Sequence, residues 1–277
     1  MIITDLSSDI LLSEAQKWNI KLVTMTSSFQ DEVFKENTPD SFEAFYKKLE
    51  TSKALPVSSQ PSPHEYVELF EEAKRNNEEV LVICVSSKLS GTYNSAILAK
   101  SISEYEPIYI VDSLQATVSL RLLVEYAVKL RDQGMCIKEI YERLLIQRNK
   151  IQLYGVPENL VYLKKGGRVP AVLANIADTL KLKPILAIND GLIESIKNVR
   201  GTKSALAYMI EATLNDPNFD AAYGIAIAHS HDLEKANKFN TLLLDKNPNL
   251  ITSIYEIGPI IGTHVGPKGI IVAYFKK

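Results

Sequence analysis

Serine hydroxyls are concentrated in the segment Val57–Pro63, just ahead of a predicted helix. Ser62 followed by Pro63 is a common way to start a helix, with Ser62 as the N-cap residue and Pro63 in the first turn. One cap needs only one serine, so Ser58 and Ser59 remain as spare hydroxyls. Because the start of a helix stabilises an anion, the segment is either a plain helix start or one part of an anion site.

A second hydroxyl-rich segment, Ser86–Asn94, follows the apolar strand predicted at Val80–Val85 and precedes another helix. It therefore lies just beyond the carboxyl end of a strand, where open α/β sheets usually bind ligands. Ser90 and Thr92 offer hydroxyl groups, and Gly91 lets a ligand approach the backbone. A strand–turn–helix connection without function uses the same residue types, and the segment alone favours neither interpretation.

A basic turn at Leu163–Pro170 carries Arg168 directly after two glycines. The guanidinium group suits two-pronged contacts with a carboxylate or a phosphate. We expect the glycines to present Arg168 on a mobile turn. The alternative is a solvated basic loop, which is the commonest fate of such a segment.

The segment Gly258–Gly269 contains four glycines and two prolines in twelve residues, with His264 in its middle. This composition predicts an unusual backbone path. His264 is either a residue of a capped turn or a hydrogen-bond donor to an anion.

The remaining histidines carry weaker signals. His64 stands at a helix start, and His229 and His231 end a predicted strand, where a structural role is the usual one. The pair could suggest a metal, but no third ligand stands at a suitable spacing, and we expect neither a metal nor another cofactor.

Short β-branched runs alternate with amphipathic stretches along the chain, which predicts βα units and a mostly parallel sheet. The predicted strands are Met1–Thr4, Lys21–Met25, Val80–Val85, Ile108–Val111, Gln152–Val156, Pro184–Ile188, Gly224–Ala228, Thr252–Glu256 and Ile270–Phe275. The predicted helices are Ser41–Leu49, His64–Arg75, Gly91–Ile102, Ala116–Gln133, Ile137–Gln147, Ala171–Leu180, Lys203–Leu214 and Leu233–Asp245. Ser41 is expected as an N-cap residue and Gly134 as the residue that closes the long helix.

Composition is that of an ordinary globular protein, with 277 residues, 46% hydrophobic, 23% charged and a net charge of −2. It lacks the basic excess of nucleic-acid-binding proteins, so no nucleic acid is expected. Cys84 and Cys136 show no spacing typical of a disulfide framework or a zinc site. The N-terminus does not have the pattern of a signal peptide, and no apolar run approaches the roughly 20 residues of a membrane helix, so we expect a cytoplasmic protein.

Six motifs occur in the order found in DegV proteins, and the chain resembles that family over nearly its whole length. They are SSQPSP (Ser58–Pro63), SSKLSGTYNSA (Ser86–Ala96), VDS (Val111–Ser113), LKKGGR (Leu163–Arg168), KPIL with the following DG (Lys183–Gly191), and GPIIGTHVGP (Gly258–Pro267). The resemblance implies two α/β domains with mostly parallel sheets and a long-chain fatty acid between them. We place the domains at residues 1–156 and 157–277.

The resemblance also implies roles for individual residues. The carboxylate-binding hydroxyls of the family match Ser58 and Ser90, and its histidine matches His264. Gly91 and Gly266 match backbone positions close to the ligand. Ser59 and Thr92, beside these hydroxyls, are included among the expected ligand-binding residues. The family's two arginines match Arg168 and Arg200, which suit phosphate transfer or contact with a kinase.

Departures from the family pattern occur near the expected pocket. Ser58 stands where threonine is usual, which keeps the hydroxyl group. Leu6 replaces a serine, and Thr24-Met25 replaces Pro-Leu, so the shape of the tail pocket is expected to differ. The last turn reads Gly266-Pro267-Lys268 instead of GPG, which places Lys268 near the head group.

The predicted function is that of a fatty-acid carrier, the lipid-binding subunit of a fatty acid kinase system and not an enzyme by itself. Its implied partners are a long-chain fatty acid and the catalytic kinase subunit, and a transient contact with a membrane surface is compatible with this function. One alternative is a binding subunit for a small polar carboxylate or phosphate. Another is a serine hydrolase using Ser90 and His264, although the chain has no GxSxG elbow and no identified acid to orient the histidine.

Overall fold

The computed structural model describes residues 1–168 and 182–277, which form two main β-sheets with helices packed around and between them. The strands are β1 (Ile2–Asp5), β2 (Ile20–Val23), β3 (Thr26–Ser28), β4 (Val33–Phe34), β5 (Val57–Ser59), β6 (Val80–Cys84), β7 (Ile108–Asp112), β8 (Ile151–Val156), β9 (Leu182–Asn189), β10 (Leu192–Arg200), β11 (Ile225–His229), β12 (Thr252–Glu256) and β13 (Ile270–Phe275). The helices are α1 (Leu12–Lys17), α2 (Pro39–Thr51), α3 (Pro63–Asn76), α4 (Thr92–Ser103), α5 (Thr117–Asp132), α6 (Ile137–Gln147), α7 (Val161–Gly166), α8 (Gly201–Leu214), α9 (Leu233–Lys246) and α10 (Pro259–Val265).

The first sheet has the order β2-β1-β6-β7, and all of its strands are parallel. Helices connect its neighbouring strands, as parallel pairing requires. The sheet confirms the α/β prediction for the N-terminal half of the chain. Its strands β1 and β6 are fully buried, as expected for a parallel sheet covered on both faces.

The second sheet has the order β10-β9-β8-β13-β11-β12 and corrects the prediction of mostly parallel sheets. Only β11 and β12 pair in parallel among its described strands. The turn Asp190-Gly191 joins β9 directly to β10, and so short a connection forces antiparallel pairing. The sequence-based reasoning did not identify β10 as a strand.

The position of strand β8 disagrees with a domain boundary after residue 156. It lies within the second sheet, between β9 and β13. A boundary after residue 156 would separate β8 from both partners. The boundary remains a prediction, and we propose to place it before Ile151.

A third sheet of short antiparallel strands, in the order β4-β3-β5, lies outside the two main ones. It was not predicted, and Ser58 and Ser59 belong to its strand β5 instead of a helix start. Ser62 does cap α3 through a 3.2 Å bond from the backbone N–H of His64. Helix α2 begins earlier than expected, because the hydroxyl of Thr38 and not of Ser41 is its cap.

Helix α5 lies at the centre of the molecule and packs against both main sheets. Its leucines and valines share one apolar core with Ile83 and Val111 of the first sheet and with Leu153 and Ile271 of the second. Gly134 follows its last turn with φ +85°, which confirms the predicted closing residue. The predicted helix Ala171–Leu180 lies outside the described residues. None of the described helices combines the length and apolar character that a membrane-spanning segment requires.

Candidate functional site

A cavity lies between the two main sheets and is apolar over most of its wall. Its apolar lining comes from both halves of the chain: Met25, Val85, Leu89, Ala116, Leu153, Val156, Pro157, Leu163, Leu186, Ala187, Ile188, Ile193, Ile260, Ile261, Val265 and Ile271. Polar residues also line it: Ser7, Ser58, Gln60, Ser90, Thr117, Arg168 and His264. An apolar wall with a few polar groups is typical of a ligand site.

Two of the predicted head-group residues are in direct contact. The hydroxyl oxygen of Ser58 lies 2.8 Å from Nε2 of His264. Side chains alternate between the two faces of a strand, so Ser58 in β5 points inward and Ser59 points outward. Ser59 is exposed and does not line the cavity.

Helix α10 carries His264 into the cavity and was not recognised from the sequence. Gly258 is its N-cap residue and Pro259 occupies its first position, so the glycines and proline there delimit a short helix. Ile260 stands one turn before His264 and lines the same cavity, as residues four apart share a helix face. A 2.5 Å hydrogen bond between Ser27 and Thr263 joins α10 to the small sheet beside Ser58.

Burial controls the charge of His264. Desolvation lowers the pKa of its imidazole to about 4, with a further contribution from the positive charge of Arg168. The ring is therefore neutral at pH 7. Its Nδ1 atom is buried with no hydrogen-bond partner among the described residues. A Cβ atom on Gly166 would lie 2.2 Å from Nδ1, so only glycine leaves room for this ring.

The hydroxyls of Ser90 and Thr92 lie 2.8 Å apart at the start of α4. Ser90 lines the cavity, whereas Thr92 is fully buried behind it. Gly91 lines the cavity as well, and a Cβ atom there would collide with Gln60. Gln60 reaches over Gly91 and donates a 2.9 Å hydrogen bond to Ser95.

Arg168 lies exposed at the edge of the cavity, as its position after two glycines predicted. Its Nε donates to the backbone oxygen of Leu89 at 3.1 Å, and a second nitrogen donates to the oxygen of Gly166. These bonds connect the end of α7 with the loop that carries Ser90. The segment is less irregular than predicted, because it is helical up to Gly166.

Two other predicted residues lie away from the cavity lining. Gly266 ends α10 with φ +71°, and a Cβ atom there would collide with Tyr162. Its conformation and its close packing both require glycine. Arg200 is exposed at the end of β10. The roles expected for Gly266 and Arg200 therefore remain predictions.

The β9–β10 turn holds the loop that carries Ser90. The hydroxyl of Ser86 donates a 2.8 Å hydrogen bond to the backbone oxygen of Gly191. Lys88 and Asp190 form an ion pair at 2.5 Å. Strand β9 lines the cavity, so these contacts join one cavity wall to the loop of Ser90.

Sequence reasoning missed Gln60, Ser7 and Thr117 among the polar lining residues. Gln60 lies inside the motif Ser58–Pro63, so its position was a usable signal. Ser7 and Thr117 carried none, because the fold alone brings their separate segments to the cavity. Both hydroxyls donate to buried carboxylates, those of Asp5 and Asp9.

The geometry does not support a hydrolase that uses Ser90 and His264. The hydroxyl of Ser90 is hydrogen-bonded to Thr92, whereas His264 is hydrogen-bonded to Ser58 and not to Ser90. No carboxylate of the described residues orients the ring, since Nδ1 has no partner there. A nucleophile–base–acid arrangement needs that third group.

Comparison with known proteins gives one consistent result. A family model described as "Uncharacterised protein, DegV family" matches residues 1–277. A DegV domain-containing protein of Clostridium acetobutylicum is 35% identical over 100% of this chain and 97% of its own length. A fatty acid-binding protein of Thermotoga maritima is 30% identical over 96% of this chain and 94% of its own length. A solved structure from Thermotoga maritima, described as revealing fatty acid binding function, is 27% identical, with a TM-score of 0.85 over 100% of this chain and 98% of that one.

Proposed function

The chain belongs to the DegV family, and from that premise we propose that it is a fatty-acid carrier. One long-chain fatty acid occupies the cavity, with its carboxylate at Ser58, Ser90 and His264 and its tail along the apolar wall. The observation that carries the proposal is that one cavity combines a hydroxyl–imidazole contact with a wall that is mostly apolar.

Burial of the acyl tail supplies most of the binding free energy. Each buried methylene contributes about 0.8 kcal/mol, so a 16-carbon tail gains on the order of 12 kcal/mol before costs. Lost translational and rotational freedom offsets an estimated ~4 kcal/mol or more. The remainder is ample for tight binding, which agrees with a wall built mainly of Leu, Ile and Val.

The carboxylate needs directed donors, because a buried and unpaired charge is very costly. The hydroxyls of Ser58 and Ser90 can each donate one hydrogen bond, and the neutral ring of His264 can donate a third from Nε2. Ser58 then gives up its present contact with the ring. None of these donors is a permanent cation, so the carboxylate oxygen stays nucleophilic enough to attack a phosphate.

A ligand series tests the binding proposal directly. We expect a 16-carbon fatty acid to bind about one to one. The 16-carbon alcohol should bind more weakly, because it lacks the carboxylate to which the head-site donors hydrogen-bond. A 4-carbon acid should bind far more weakly, because it buries few methylenes. Equal binding of the short and the long acid would contradict the proposal and favour a site for small polar carboxylates.

We further propose that a separate acyl kinase phosphorylates the bound acid and that the carrier then holds the acyl phosphate. The oxygen of the carboxylate attacks the γ-phosphorus of ATP, the bond to the bridging oxygen breaks, and ADP leaves. Arg168 at the cavity edge suits contact with the incoming phosphate. The family resemblance supports the kinase as a partner. The same proposal includes a cytoplasmic location, where ATP is supplied, and brief contact with a membrane surface.

The kinase proposal has its own test. Purified chain, 16-carbon fatty acid, ATP and a candidate acyl kinase are mixed, and acyl phosphate is trapped with hydroxylamine. Product should form only when carrier and kinase are both present. Product formed by the carrier alone would make it an enzyme and would contradict the proposed role.

A further inference from the structure

A buried carboxylate behind the cavity joins the helix of His264 to the central helix. Asp9 is 2% exposed and follows the short helical turn Leu6–Ser8 with φ +56°. Its Oδ1 accepts a 2.9 Å hydrogen bond from the backbone N–H of Gly258, and its Oδ2 accepts a 2.6 Å bond from the hydroxyl of Thr117. One side chain thus binds the N-cap residue of α10 and the first residue of α5.

Both ends of this bridge lie in or next to segments of the cavity wall. Gly258 precedes the helix that presents Ile260, Ile261 and His264 to the cavity. Thr117 lines the cavity itself. The distance between α10 and α5 therefore determines where the head-group residue lies relative to the tail wall.

The bridge is costly to maintain, which argues against a passive role. Burial raises the pKa of Asp9 to about 7, although Thr117 and Gly258 lower it through their hydrogen bonds. Thr117 has φ +52°, a strained conformation for a β-branched residue. Strain and an unfavourable buried carboxylate at the same point indicate a constraint set by the site.

Other contacts also hold α10, and they differ from Asp9 in what they connect. The hydroxyl of Tyr46 donates to the backbone oxygen of Ile257 at 2.9 Å, and Ser27 contacts Thr263. Neither Tyr46 nor Ser27 bonds to α5. Among the described residues, Asp9 is the one whose side chain hydrogen-bonds to both the start of α10 and the start of α5.

We propose that Asp9 is a positioning residue for the fatty-acid site, which fixes the place of His264 relative to the apolar wall by tying α10 to α5. It does so without touching the ligand. This inference rests on the proposed function, and it adds a residue that neither the motifs nor the cavity lining identified.

Three substitutions test the bridge. Asp9→Ala removes both bonds and should weaken fatty-acid binding by about tenfold or more. Asp9→Asn should stay within about threefold of the wild type, because its oxygen accepts from Gly258 and its amide nitrogen can donate to Thr117. Thr117→Val keeps the branched shape, removes one bond and should weaken binding by about threefold to tenfold.

A second readout separates positioning from loss of stability. The imidazole signals of His264, assigned by their absence in His264→Gln, are recorded by NMR in the ligand-free protein. Their chemical shifts should differ from the wild-type values in Asp9→Ala and Thr117→Val, and should match the wild-type values in Asp9→Asn. Tyr274→Phe is the control, since it removes a 2.7 Å bond to Asp216 in another part of the core and should move neither the signals nor the affinity.

The outcomes are distinct. Folded Asp9→Ala with wild-type affinity and unmoved His264 signals overturns the inference, and so does Asp9→Asn that binds as poorly as Asp9→Ala. If Asp9→Ala does not fold, Thr117→Val decides by the same two measurements. Failure of the wild type to bind fatty acid would overturn the proposed function instead, because the NMR measurement uses no ligand.

Discussion

Ser58 and His264 are 206 residues apart in the sequence, yet Oγ of one lies 2.8 Å from Nε2 of the other. Strand β5 supplies the hydroxyl and α10 supplies the ring, so the contact exists only when the small sheet docks against that helix. This contact brings two hydrogen-bonding groups together in the wall of a mostly apolar cavity. It is the feature from which the account of head-group binding proceeds.

The first prediction concerns shared binding of the carboxylate. Ser90→Ala should weaken binding of a 16-carbon fatty acid by roughly one to two decades, the usual cost of losing a hydrogen bond to a charge. His264→Gln should act on the same anion, so calorimetry should find the double variant non-additive. Ser59→Ala is the matched control, because Ser59 faces away and should bind normally. Strictly additive effects would mean that Ser90 and His264 do not share a ligand.

The second prediction separates binding from phosphate transfer. Arg168→Ala should leave fatty-acid affinity nearly intact and reduce acyl phosphate formation with the kinase at least about tenfold, since a charge-assisted contact is lost. Arg168→Lys should restore only part of the rate, because an ammonium lacks the planar fork. Lys165→Ala, an exposed cation of the same segment, is the control. Parallel loss of affinity and rate in Arg168→Ala would place this arginine in the head site.

The third prediction follows from the charge state of His264. Folding lowers the pKa of its ring from 6.5 to about 4. Between these pH values the unfolded chain binds a proton that the folded chain does not, so this group destabilises the protein as the pH falls. His264→Gln should therefore reduce the stability lost between pH 8 and pH 4.5, by up to about 3 kcal/mol in urea titrations.

The buried carboxyl group of Asp9 provides the comparison for that experiment, because its effect on stability has the opposite dependence on pH. Folding raises the pKa of Asp9 from 3.8 to about 7, so the folded chain binds the extra proton and this group costs stability as the pH rises. Asp9→Asn should consequently gain stability at pH 8 relative to pH 4.5. If both variants shift the pH profile in the same direction, one of the two assignments is wrong.

The fourth prediction concerns the space for the His264 ring. Gly166→Ala places a methyl carbon 2.2 Å from the present position of His264 Nδ1. This separation is too short for two non-bonded atoms, so the ring must move away from Ser58. Fatty-acid affinity should fall by about tenfold, as for the loss of one charged hydrogen bond. Gly167→Asn is the control, since nothing lies within 4 Å of its Cβ position and asparagine tolerates its φ of +70°. Normal binding by Gly166→Ala would show that the ring has no fixed position.

Periodicity and turn residues predicted the strands of the first sheet well, because parallel strands are continuous buried runs such as Val80–Cys84. They could not predict strand direction in the second sheet, where β13 runs antiparallel to β8 and β11 and a two-residue turn reverses the chain between β9 and β10. Helix α10 was missed because Gly258, Gly262 and Gly266 suggest a loop, whereas two of these glycines make room for Phe42 and Tyr46.

Motifs located the site better than single residues did. They identified Ser58, Ser90 and His264, which line the cavity, whereas Ser59 lies outside the cavity lining, in a strand that was taken for a helix start. Asp9 could not be found in this way. Its importance arises from contacts with Thr117 and Gly258, which are distant in the sequence and meet only in the folded chain.

Native mass spectrometry of freshly purified protein, before and after delipidation, tests the central claim most directly. The account predicts a mass increase corresponding to one long-chain fatty acid per chain, which disappears on delipidation and returns when the acid is added back. A Ser90→Ala, His264→Gln double variant should retain less of it. A wild-type protein that carries no acyl adduct and takes up none from a mixture of long-chain fatty acids would contradict the account.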